Sequence, residues 1–269
     1  MRAPAAGDPL ADIESEVIAC SRCPRLVAWR EECAANPPLR FRGERYWARP
    51  LPAFGDARAR VLLVGLAPAA HGGNRTGRMF TGDASGDFLF RALHEVGLAS
   101  QPESRRQGDG LALFGVLVTA AVRCAPPDNR PRPEEFAACR EYLDREREAL
   151  SGARTLVALG AIAFEACLGT LARGGHRIAR PKPRFAHGAE LQIGDYRIFA
   201  SYHPSQQNTF TGKLTLPMLQ TVLSRAARSS EEREKRGVSA PAYGRAERLP
   251  REPAPPRSDR SRGRRPRSR

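Results

Sequence analysis

No run of apolar residues in this sequence approaches the length a membrane span needs, and the first residues lack the apolar core of a secretory signal. A membrane protein and an exported protein are both unexpected, so the chain reads as cytoplasmic and without a membrane partner. Nucleotide-cradling signatures are missing too. Neither GxxxxGK[ST] nor GxGxxG occurs, which excludes the two standard phosphate loops. There is no internal repeat. Acidic residues are also scarce relative to basic ones. Only 29 Asp and Glu stand against 44 Lys and Arg in 269 residues, a formal net charge of +15. That balance favours a polyanionic partner without requiring one.

The positive charge is unevenly spread. From Arg228 to the end, 14 basic and 6 acidic residues occupy 42 positions, with almost no large apolar residue after Leu249. Such a segment cannot bury enough surface to offset the entropy of ordering, so residues 228–269 are expected to form a disordered basic tail. Residues 1–227 are expected to fold as the working domain. The tail reads equally as a non-specific nucleic-acid tether or as a solvated appendage.

Within the body, Val61–Leu66, Phe114–Ala120, Thr155–Leu159 and Arg197–Tyr202 are short apolar runs typical of buried strands. Helical spacing covers Pro9–Cys20, Gly86–Val96, Pro133–Leu150, Ala161–Leu171 and Leu214–Ala227. Residues 34–55 are proline-rich and aperiodic, so they read as an irregular loop. Strands alternating with helices predict an α/β fold, a parallel sheet covered on both faces.

Ligands of open parallel sheets bind beyond the carboxyl ends of the strands. Three unusual segments fall there: GLAPAAHGGNRTGRMFTGD at 65–83, VRCAPPDNRPRP at 122–133 and SYHPSQQNTFTGK at 201–213. In the first, Asn74, Arg75 and Thr76 are placed to contact phosphate, and Phe80 to stack on a base or anchor the loop. Asp83 stands ahead of a helix and reads on position as its N-cap. In the third, His203 precedes a proline at the strand mouth. Ser205, Thr209 and Thr211 could meet phosphates. His94, His176 and His187 receive no role. Six cysteines complete the inventory. Cys20-x-x-Cys23 with the distant Cys124 and Cys139 reads as a metal or cluster site, with Cys33 as a loop thiol and Cys167 as a core thiol.

Together the three loops and ACSRCPRLVAWRE at 19–31 resemble the uracil-DNA glycosylase superfamily, and within it family 5, the B-type enzymes with an iron–sulfur cluster. The resemblance covers about residues 10–225. It implies a three-layer α/β/α sandwich around a four-stranded parallel sheet. It also implies a 4Fe–4S cluster on Cys20, Cys23, Cys124 and Cys139. The residue types alone leave zinc as the alternative, and the family likeness favours iron–sulfur. The implied activity is that of a hydrolase working as a monomer in base-excision repair on the DNA of the nucleoid. It would flip a damaged nucleotide out of the duplex and hydrolyse the base–sugar bond. It is expected to be monofunctional because no lysine in the three motifs is placed to attack the sugar except Lys213, which reads as a phosphate contact.

By the same resemblance, His203 stabilises the departing base, Phe80 stacks on it, and Asp83 and Asn129 position or activate water. Asn74, Arg75, Ser205, Gln206, Gln207, Asn208, Thr209 and Lys213 hold the DNA, the SQQNT loop acting as a wedge. Two departures bear on the substrate. Ala67 stands where many relatives carry a water-activating residue, and Ala120 stands about where an A-type enzyme reads uracil with an Asn. Fewer base-reading hydrogen bonds imply a broader pocket, accepting uracil and deaminated bases such as hypoxanthine. A silent iron–sulfur protein that binds damaged or single-stranded nucleic acid is the competing reading. The set Asp83, Asn129 and His203 argues against it. A hydrolase of free nucleotides fits the loops but not the tail or the wedge.

Overall fold

The computed structural model describes residues 8–235, and the expected tail beyond Lys235 lies outside them. Two helices come first, α1 (Pro9–Ala19) and α2 (Pro24–Ala35), followed by a 3-10 turn at Leu39–Phe41; the one-turn helix α3 (Gly73–Thr76) lies further on, after the second strand. The sheet is built from β1 (Phe54–Gly55), β2 (Val61–Gly65), β3 (Val116–Ala120), β4 (Thr155–Leu159), β5 (Glu190–Ile193) and β6 (Tyr196–Ser201), in the order β1-β3-β2-β4-β6-β5. The four inner strands pair in parallel, with Val61 opposite both Val116 and Thr155, and Thr155 opposite Arg197. They are the four expected strands. Antiparallel β1 and β5 edge them on either side, so the sheet is mixed and six-stranded rather than four-stranded.

Every residue of β2, β3 and β4 is buried, as a sheet covered on both faces requires. One face packs on α4 (Ala84–Glu95) and α8 (Leu216–Lys235), through Leu89, Phe90 and Leu93 of the first and Leu219, Val222 and Leu223 of the second. The other face packs on α5 (Pro133–Ala149) and α6 (Ala161–Arg173), chiefly through Leu143, Phe164, Cys167 and Leu168. The result is the three-layer sandwich expected. A third, smaller cluster joins α1, α2 and α5 through Ile13, Val17, Leu26 and Tyr142.

The last helix runs eight residues past the expected boundary at 227. Ser229 in that extension is buried and accepts a hydrogen bond from Arg197 Nη1 at 3.3 Å. No helix among the described residues is long and apolar enough to cross a membrane.

Candidate active site

The loops leaving β2, β3 and β6 meet at one end of the sheet and enclose a cleft of about 620 Å³. Of the residues expected to work there, Phe80, Asp83, Asn129, His203, Ser205, Gln206 and Gln207 line it.

Phe80 adopts φ +51°, a left-handed conformation that is a genuine outlier for a bulky residue. Strain of this kind persists only where surrounding structure imposes it. Here the imposing feature is space. A Cβ at Gly65 would lie 2.6 Å from Phe80 Cζ, so only a glycine at the end of β2 lets the ring sit where it does.

His203 follows β6 and is held from two directions. Asn208 Nδ2 donates to the His203 carbonyl at 2.8 Å. The preceding residue, Tyr202, donates its N–H to His187 Nδ1 at 3.1 Å and stacks on that ring at 5.0 Å and 17°. His187, assigned nothing from sequence, therefore props the strand end that presents His203. Burial lowers the His203 pKa from its ordinary value, and the nearby Asp83 carboxylate offsets only part of the shift. The imidazole is neutral at neutral pH, a donor through one nitrogen only. Its ring lies 5.9 Å from Phe80, tilted by 33°.

Asp83 does cap α4, its Oδ1 accepting the Gly86 N–H at 3.0 Å. The other oxygen takes no part in the cap and lies so close to Gly72 that a Cβ there would be 2.1 Å from it. Capping fixes the carboxylate without using all of it. Asn129 ends a 3-10 turn at Pro127–Asn129 and, like Asp128, has φ +55°. It stands exposed at the cleft rim.

Other expected ligands are engaged elsewhere. Asn74 is 1% exposed, and its amide donates to the carbonyls of Arg30 and Ala70. Arg75 donates to the His71 and Gly82 carbonyls, pairs with Glu44 and lies over the Phe41 ring. Both brace the loop from within, and neither is presented to a phosphate. Ala120 is buried in the core beneath α4 and does not line the cleft. The wedge segment is not an open loop. Gln206–Phe210 forms the one-turn helix α7, capped by Ser205, whose oxygen accepts the Asn208 N–H. Thr209 turns its hydroxyl back to the Ser205 carbonyl. Lys213 lies outside the cleft lining, with Nζ 4.8 Å from the centre of the Tyr202 ring.

Sequence reasoning missed Trp29, Phe41 and His71 in the lining. His71 is the one whose signal was available, since it lies inside the first motif; Tyr46 Oη bonds its Nδ1 at 3.0 Å.

Behind the cleft, Cys20, Cys23, Cys124 and Cys139 line one small cavity. Cys20 ends α1, Cys23 starts α2, Cys124 follows β3 and Cys139 lies in α5. Burial pushes the Cys124 thiol up to about 11 and the Cys139 thiol up to about 12. The same cavity is lined by Arg30 and Arg123, whose Nε atoms, with Nη1 of Arg123, are buried without a partner. Four thiols facing unpartnered cationic donors suit an anionic, thiolate-held group. Cys33 is not a loop thiol but a buried residue of α2; Cys167 is buried in the core as expected.

A separate cavity of about 690 Å³ at the β1 edge includes Asp109 and Glu146. Both carboxylates are paired there, with Arg78 and Arg123, and Asp8 and Glu14 line the same cavity.

Residues 52–227 match the model of the family described as the uracil DNA glycosylase superfamily. The chain is 56% identical to a type-5 uracil-DNA glycosylase of Thermus thermophilus, over 78% of this chain and 93% of that protein. It is 48% identical to one from Pyrobaculum aerophilum, over 80% and 91% respectively. A Mycobacterium bovis protein of the same name is 46% identical, over 81% and 80%.

Proposed function

Because this chain belongs to the uracil-DNA glycosylase superfamily and groups with its type-5 members, we propose that it is a monofunctional DNA glycosylase that excises uracil from DNA. We extend the proposal to hypoxanthine and related deaminated bases. The observation that carries the reading is the convergence of Phe80, Asp83, Asn129 and His203 on one cleft at the carboxyl end of the sheet.

Breaking a base–sugar bond sends negative charge onto the base and leaves a cationic sugar. Stacked bases lie about 3.4 Å apart, so a base between two rings needs about 6.8 Å. Phe80 and His203 are closer than that. The flipped base therefore lies along the Phe80 face, and His203 meets its edge. A neutral imidazole N–H aimed at a base oxygen stabilises the charge that develops there, as an oxyanion-hole donor does. The Asp83 carboxylate supplies the opposite charge for the sugar and a fixed acceptor for the attacking water. Asn129 helps to orient that water at the rim. Exposed Gln206 and Gln207 on α7 meet the duplex beside the gap.

The broad base range rests on the apolar part of the lining, where Ala67, Ala69, Ala70 and Met79 carry no amide or hydroxyl that would select one base edge. Monofunctionality is supported by the absence of lysine from the described lining residues.

Cys20, Cys23, Cys124 and Cys139 would hold the 4Fe–4S cluster. When bound, the group ties α1, α2, the β3 loop and α5 into one support behind the cleft and performs no step of base release. Zinc is the alternative for the same four thiolates, and the resemblance to the B-type family favours the iron–sulfur cluster.

Purified protein incubated with oligonucleotides bearing uracil, hypoxanthine, xanthine or ethenocytosine is expected to yield alkali-labile sites at uracil and hypoxanthine. Intact uracil strands would overturn the activity. Nicking without alkali would overturn the monofunctional reading, and uracil-only release the broad one.

A further inference from the structure

Four arginines among the described residues are buried, and three have a carboxylate partner. Arg78 pairs with Asp109, Arg123 with Glu146 and Arg147 with Glu148. Arg30, 6% exposed in the middle of α2, has none. Its Nη1 lies 3.3 Å from Cys124 Sγ and 3.5 Å from the Cys20 carbonyl, and its Nε has no partner at all. A buried, uncompensated guanidinium is strongly destabilising, and this side chain cannot escape by losing its proton. The fold must therefore meet a negative charge at this point. Among the described residues that line the same cavity, the cysteine sulfurs are the groups able to supply it.

We propose that Arg30 is the counter-charge and hydrogen-bond donor of the iron–sulfur cluster, acting through the Cys124 thiolate. The assignment rests on the cluster proposed above. Four thiolates around a cubane make a dianion when oxidised and a trianion when reduced. A buried cation beside one thiolate therefore stabilises both forms and the reduced form more. It raises the reduction potential and strengthens the hold on iron. The residue also links the cluster to the cleft, because its own carbonyl accepts the buried Asn74 amide of the β2 loop at 3.2 Å.

Full-length protein is purified anaerobically as wild type, Arg30→Gln and Arg30→Lys. Iron and sulfide content, reduction potential by film voltammetry, and the rate at which a chelator bleaches the visible absorbance are then measured. Arg30→Gln is expected to shift the redox equilibrium at least tenfold toward the oxidised cluster, a fall of about 59 mV for one electron. Its cluster is expected to bleach at least tenfold faster. Arg30→Lys keeps the charge but loses the guanidinium contact, and is expected to fall between the two. Unchanged potential and bleaching in Arg30→Gln would overturn the assignment. If Arg30→Gln yields no folded holoprotein, the wild-type potential and bleaching rate in Arg30→Lys would overturn it instead. Wild type without iron and sulfide would overturn the cluster itself, and Arg30's role with it.

Discussion

On the proposed mechanism, replacing His203 with alanine isolates the electrostatic step of base release. The side chain is a single neutral donor on a backbone fixed through Asn208 on one side and the Tyr202–His187 stack on the other. Because the fold holds it before substrate arrives, no reorganisation is needed when charge develops on the base. Loss of one such pre-positioned donor lowers turnover by about 10²–10³, or about 2.7–4 kcal/mol of transition-state stabilisation. The ground state gains little from this contact, so the affinity for duplex should barely change. The assay is single-turnover excision from a uracil oligonucleotide with enzyme in excess, alongside anisotropy with the same duplex. A rate loss below tenfold, or an equal loss in rate and affinity, would refute the leaving-group role. The pH profile adds an independent check. Burial depresses the His203 pKa, so the neutral form already dominates at the ordinary histidine value of about 6.5. The wild-type rate should hold steady as pH rises through that value. A rate that falls there would require the imidazolium and contradict the neutral donor.

Three further outcomes follow from the packing. Gly65→Ala should push the Phe80 ring from its seat and weaken productive binding of uracil DNA by roughly five- to 150-fold, the worth of about 1–3 kcal/mol for one stacked base; unchanged single-turnover half-saturation would show that Phe80 does not stack. Glu146→Ala strands the buried Arg123 guanidinium and should lower stability by about 3–5 kcal/mol in urea unfolding, and a loss under 1 kcal/mol would mean that the charge is met elsewhere. Ending the chain after Lys235 should leave excision and stability intact. Ending it after Ala227 removes the buried Ser229–Arg197 bond and should cost about 1 kcal/mol; equal stability of the two truncations would put the domain boundary back at 227.

The inner strands could be read because each is a short apolar run buried on both faces, a pattern that survives without knowledge of its neighbours. The edge strands carried no such signal. Phe54–Gly55 is two residues long, and Glu190–Ile193 mixes exposed and buried positions. The helix α2 was hidden for a more instructive reason. Its buried positions Leu26, Arg30 and Cys33 follow helical spacing, but the middle one is a charge, which breaks the apolar stripe. The same ambiguity misassigned Asn74 and Arg75. Residue type identifies a donor, whereas only the fold decides whether that donor turns inward or outward. Asn74 went to the Arg30 carbonyl and Arg75 to the loop's own carbonyls, so the motif's polar residues stiffen the loop that presents Phe80 and Asp83. The errors thus converge on one region. The arginine that masked α2 is the residue left without a carboxylate, and its carbonyl receives the amide expected to face phosphate. Both departures from pattern follow if the segment between the cysteine pair and the cleft is shaped around a buried anion.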